Sequence, residues 1–165
     1  MPSQTGHSQI AGLAGWFIVT FLAAIVGAAA SLHAKVVYIH LFKPAWAPPA
    51  AVFGPVWTFL YLLMAVAAWL VWRVNGFAAA RTALSLYLAQ LFVNGLWSWL
   101  FFGWKLGALA LADIALLWVL ILATIIRFWS ISPLAGILLL PYLVWVSFAS
   151  VLNHAVWQLN PLILG

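Results

Sequence analysis

The stretch Leu109–Ile126 reads LALADIALLWVLILATII, with one charged residue and apolar side chains at both odd and even positions. Such a run has no polar face to offer to water. In lipid every backbone N–H and C=O must be paired within the protein, and only a helix pairs them inside one segment. A spanning helix takes about 20 mostly apolar residues to cross a hydrocarbon core of ~30 Å. Four further runs reach that length, so helices are expected over about 13–33, 51–73, 80–102, 106–127 and 133–157. Outer-membrane strands would instead alternate apolar and polar residues. The expected architecture is therefore an all-α membrane protein. It is a single domain over 1–165, a five-transmembrane-helix bundle with a long structured loop, AKVVYIHLFKPAWAPPA, between helices 1 and 2. Residues 1–12 (MPSQTGHSQIAG) are expected to form a disordered tail.

Composition agrees. Hydrophobic residues make up 68% of the chain and charged ones 4%, against about 25% charged in a soluble domain. The six cations (Lys35, Lys43, Arg73, Arg81, Lys105, Arg127) are scattered singly, whereas a nucleic-acid partner needs a clustered basic face. They divide three to three between the two ends of the expected bundle, so the positive-inside rule does not orient it. No Lys or Arg precedes Lys35, which argues against a secretory signal. The absence of cysteine removes thiolate chemistry and cysteine metal sites.

Twelve Trp are present. Those near helix ends (Trp16, Trp46, Trp72, Trp104, Trp129, Trp157) suit an interfacial aromatic belt. Trp57, Trp97, Trp118 and Trp145 fall inside the spans, as packing residues or as the walls of an apolar cavity. Gln90, Asn94 and Trp97 share one helical face, as do Trp57 and Tyr61, and as do Trp145, Ala149 and Leu152 with Asn153 alongside. Amides at membrane depth either join helices or meet a ligand, and joining is the commoner role. Asp113, the one acid, lies two turns inside the fourth span; it is a hydrogen-bonding acid or a functional one. A lone acid excludes two-carboxylate chemistry. The spacing of His7, His33, His40 and His154 fits no zinc motif, so no metal is expected. One of them as an axial haem ligand is a minor alternative to an interfacial histidine. Pro141 and Pro55 are expected to bend the fifth and second helices.

The stretches KPAWAPPAAVFGPVWTFLY (Lys43–Tyr61), QLFVNGLWSWLFFG (Gln90–Gly103), ALALADIALL (Ala108–Leu117) and LLPYLVWVSFASVLNHAVW (Leu139–Trp157), taken together and in this order, resemble the TspO/MBR family of translocator proteins. The resemblance covers four of the five helices. It implies a bundle with a hydrophobic pocket capped by the long first connector. Such a pocket binds porphyrins such as protoporphyrin IX and synthetic isoquinoline carboxamides and benzodiazepines; animal members also bind cholesterol. By position, Trp57 and Asn94 look like the polar pair that meets a ligand carbonyl. Trp97, Trp145, Ala112, Leu116, Ala149, Leu152 and Ala28 look like pocket lining, and Pro44, Trp46, Pro48 and Pro49 look like the lid. The sequence departs from animal members in the stretch VLNHAVWQLN, where His154 takes a Tyr position and no basic residue follows. It departs again at Leu109, which stands where they have Trp and bears on pocket shape. A bacterial-type member in a bacterial membrane, inner or outer, is thus favoured over one in the mitochondrial outer membrane.

The expected function is binding and transport of hydrophobic planar ligands, most of all porphyrins, with no obligatory cofactor. The porphyrin carboxylates would sit near the mouth, by Lys35, His40 or Lys43. Partners would be the bilayer, the ligand (a sterol among the alternatives) and a second copy in a homodimer. The competing readings are light-dependent porphyrin degradation using Trp57 and Trp145, sterol transport, a ligand-gated stress sensor, and a proton carrier built on Asp113. The enzymatic reading stands behind binding, because apart from those indoles the sequence offers no acid, base or nucleophile for it.

Overall fold

The computed structural model describes residues 6–30 and 34–165. Every regular element among them is helical: α1 (Gly6–Ala30), α2 (Ala34–His40), α3 (Phe53–Ala79) preceded by a 3-10 turn (Ala50–Val52), α4 (Arg81–Ser98) continued by a π turn (Trp99–Gly103), α5 (Gly107–Ile131), α6 (Pro133–Leu159) and α7 (Pro161–Leu164). Five of these helices, α1, α3, α4, α5 and α6, are long and apolar enough to span a bilayer. The first begins at Gly6 rather than near residue 13, so residues 6–12 are helix and not tail; residues 1–5 of the expected tail lie outside the described residues. The connector expected as one long loop is divided into α2 and a proline-rich segment, 41–49.

The long helices close a ring in which α1 meets α3, α3 meets α6, α6 meets α5, α5 meets α4, and α4 returns to α1. Lipid gives no hydrophobic drive between helices, so close contact and interhelical hydrogen bonds hold them. Close contact is visible at Gly12, where any Cβ would run into the Trp72 ring. It is visible again at Gly107, where a Cβ would stand 2.5 Å from the Trp157 ring and 2.8 Å from the Leu164 carbonyl. Trp16, expected in the interfacial belt, is instead buried edge-on against Tyr87 at 5.7 Å. Trp157 likewise packs on the bundle, whereas Trp46, Trp104 and Trp129 are exposed.

Two local features shape the helix ends. Gly76 has φ 65° and ψ −179°, which breaks the helical path of α3 just before α4; only glycine adopts that conformation without strain. The π turn after α4 closes through Trp104 N–H to the Trp99 carbonyl at 2.7 Å and Leu106 N–H to the Leu100 carbonyl at 2.8 Å. Pro55 falls in the first turn of α3, where its missing N–H costs nothing. Pro141 lies within α6, which continues past it to Leu159.

The ring is filled unevenly. At the end holding the start of α1 and the α3–α4 junction, Met64, Leu84, Tyr87, Phe128 and Leu139 are fully buried and leave no room. Toward the connector, small residues take over: Ala24, Ala28, Ala50, Ala51, Gly54 and Ala149 surround open space. The substitution of small for large side chains along the same helices turns half of the bundle into a hollow.

Candidate functional site

The hollow has a volume of about 570 Å³, within the range of roughly 300–1,000 Å³ usual for small-molecule sites. Each of the five long helices contributes to its wall. Large flat surfaces come from Phe21, Phe53, Trp57, Trp97, Phe102 and Trp145. Trp57 lies against Tyr61 at 5.5 Å and edge-on to Tyr142 at 6.1 Å. Trp145 meets Phe53 edge-on at 5.9 Å.

The polar groups form a chain across the helices. The Tyr61 hydroxyl donates to Asn94 Oδ1 at 2.5 Å. Asn94 Nδ2 donates to the Tyr142 hydroxyl at 2.9 Å, which in turn donates to Gln90 Oε1 at 2.9 Å. This chain ties α3, α4 and α6 together. A second one runs from Trp97 Nε1 to Asn153 Oδ1 (3.0 Å) and from Asn153 Nδ2 to the Gly107 carbonyl (3.3 Å), joining α4, α6 and α5. Asn94 and Asn153 therefore have helix-joining roles, and Asn94, only 4% exposed, has both ends of its amide engaged. Trp57 differs. Its indole N–H has no hydrogen-bond partner among the described residues, and the residue lines the hollow. The Trp145 indole nitrogen is also unpartnered but fully buried.

The structure brings Trp57, Asn94, Trp97, Trp145, Ala149 and Ala28 to one wall surface. It does not bring Ala112 and Leu116 there. Both are exposed on the outer face of α5, Leu116 by 52%, and Ile114 and Leu117 take their place. Leu152 is buried in a separate cluster with Leu41, Phe101 and Val156. Leu109 is 56% exposed and so has no part in pocket shape. Asp113 is buried beside the hollow's Ile114 with one carboxylate oxygen unpartnered, and it is not part of the wall.

The four expected lid residues do not line the hollow either; the wall residues of the connector are Tyr38, Ala50 and Ala51. Pro44 and Pro49 close turns through their carbonyls to Ala47 and Val52 N–H (both 3.0 Å). The Pro48 carbonyl accepts from the Tyr38 hydroxyl at 3.0 Å. Trp46 rests edge-on against Phe148 at 5.9 Å. Burial pushes the Tyr38 phenol up, which keeps it a neutral donor. Lys43 Nζ donates to the Tyr38 and Leu41 carbonyls at 2.7 and 2.8 Å, so it caps α2 and is not free at the mouth. His33 and the side chain of Lys35 lie outside the described residues.

A multi-pass helical membrane protein with an aromatic hollow in one half of its bundle is the class that this fold and site define. A family model, TspO/MBR family, matches residues 15–158, and the chain belongs to that family. It is 42% identical over 146 residues to the tryptophan-rich sensory protein of Cereibacter sphaeroides, covering 86% of this chain and 90% of that one. Protein CrtK of Rhodobacter capsulatus is 40% identical over 128 residues (75% of this chain, 78% of the relative). The human translocator protein is 42% identical over 125 residues (74% of each).

Proposed function

We propose that this protein is a membrane receptor or carrier that takes a flat, largely apolar ligand, a porphyrin above all, into the hollow between its helices. The observation that carries this reading is the hollow itself: about 570 Å³, broad indole and phenyl faces, and an unpartnered indole N–H on the wall residue Trp57. Apolar faces supply most of the affinity for a planar ring, because burial of apolar surface is the dominant favourable term. The Trp57 N–H supplies orientation by meeting an acceptor on the ligand. The relatives' names, a translocator and a sensory protein, accord with a receptor or carrier.

The test is an absorbance titration of protoporphyrin IX into the protein in nanodiscs, against a Gly54→Phe variant. Gly54 is wall, and a Cβ there meets nothing within 4 Å, so the ring would fill the hollow without disturbing the fold. Saturable binding lost in the variant supports the reading; equal binding by both proteins removes it.

A second reading, light-driven oxidation of the bound ring by dioxygen, draws on the presence of both Trp57 and Trp145 in the same wall. Illumination of the complex of a Trp57→Phe, Trp145→Phe double variant decides it: bleaching at the unmodified protein's rate excludes a role for the indoles. The proposed homodimer has support in an apolar groove of about 600 Å³ between α1 and α4, at the small residues Ala23 and Gly95. The proposed location is a bacterial membrane, supported by the departure of VLNHAVWQLN from animal members.

A further inference from the structure

Asn160, between α6 and α7, is 3% exposed and fully engaged. Its Oδ1 accepts from Phe42 N–H at 2.9 Å, and its Nδ2 donates to the Phe42 carbonyl at 2.8 Å and to the Val156 carbonyl at 2.7 Å. The side-chain amide thus pairs with the Phe42 backbone as a neighbouring strand would. Phe42's own ring is 73% exposed and holds nothing. The segment is instead fixed by this amide pair, by Leu41, which is buried with Phe101, Leu152, Val156 and Leu164, and by Trp46 against Phe148. Both ends of the same segment are cavity wall, Tyr38 before it and Ala50 and Ala51 after it.

We propose that Asn160 is a positioning residue that latches the connector 41–49 against the end of α6 and so sets how often the cavity opens. Since the regulated site is this cavity, the biological meaning rests on its reading as a ligand site, but the latch is testable with no ligand present. In the latched state Tyr38, Ala50 and Ala51 close the wall. Release of the Phe42 backbone frees the segment to swing on its two flanking elements, α2 and the turn before α3. Ligand exchange in both directions then speeds up, while the contacts inside the cavity are unchanged.

The chain has no cysteine, so single thiols report opening cleanly. Ala149→Cys places one in the cavity wall, and Ala83→Cys places one in the solidly packed half. Each is labelled with a water-soluble maleimide in the unmodified and Asn160→Ala backgrounds. Two ordinary hydrogen bonds correspond to a shift of about thirtyfold in an opening equilibrium. The expected result is Ala149→Cys labelling faster by about that factor with Ala83→Cys unchanged. Equal acceleration at both thiols means general loosening and overturns the latch, as does no acceleration at Ala149→Cys. If Asn160→Ala does not fold, hydrogen exchange at the Phe42 amide of the unmodified protein decides: protection supports the latch, and exchange at the rate of a free loop overturns it. Failure of porphyrin binding with the labelling result intact would count against the ligand and not against the latch.

Discussion

Asn94 Nδ2 donates to the Tyr142 hydroxyl at 2.9 Å while its Oδ1 accepts from Tyr61, so the amide at the base of the cavity is occupied before any ligand arrives. The resemblance pairs Asn94 with Trp57 as ligand contacts, but the geometry gives them different jobs. Asn94→Ala leaves two buried hydroxyls short of a partner, at a cost of about 1–3 kcal/mol. The expected outcome is a lowered unfolding temperature in detergent with a smaller effect on ligand affinity than Trp57→Phe. A normal melt with abolished binding would reverse the assignment.

Trp57→Phe keeps a flat ring in the wall and deletes the indole donor. For a ligand with a carbonyl or carboxylate acceptor, affinity should fall by roughly three- to tenfold. For an apolar ring without an acceptor it should not change. Parallel absorbance titrations with two such ligands read the difference.

Glycines divide by what surrounds them. Gly107→Ala would force its methyl against Trp157 and the Leu164 carbonyl, and overpacking of that kind costs about 1–3 kcal/mol. Gly54→Ala faces open space and should be neutral in the same thermal melt.

At Gly76 the backbone and not space is decisive. Its φ of 65° with ψ of −179° suits no side chain, although nothing lies within 4 Å of the added Cβ. Gly76→Ala should destabilise by about 1–3 kcal/mol, seen as a lower melting temperature, even though it clashes with nothing.

The spans were legible because long apolar runs admit few structures. Helix facing was less so. A helix that is apolar all round carries no stripe of polarity to say which side looks inward, which is why Ala112 and Leu116 turn out to lie on the exposed outer face where Ile114 and Leu117 face the hollow. Trp57, Trp97 and Trp145 were placed by the family resemblance, since their position inside the spans left packing and cavity wall both open. Asn160 could not: alone at a helix end it reads as a terminus, and its partner Phe42 is 118 residues away. Trp16 was misplaced for a similar reason, since position near a helix end says nothing of the Tyr87 ring it meets across the bundle.

The most direct measurement is a structure of the protein with protoporphyrin IX bound. The expected result is a ring lying among Trp57, Trp97 and Trp145, with an acceptor at the Trp57 indole N–H and Asn94 still held by Tyr61 and Tyr142. A ring seated outside the bundle, in the groove between α1 and α4, with the hollow unchanged, would contradict it.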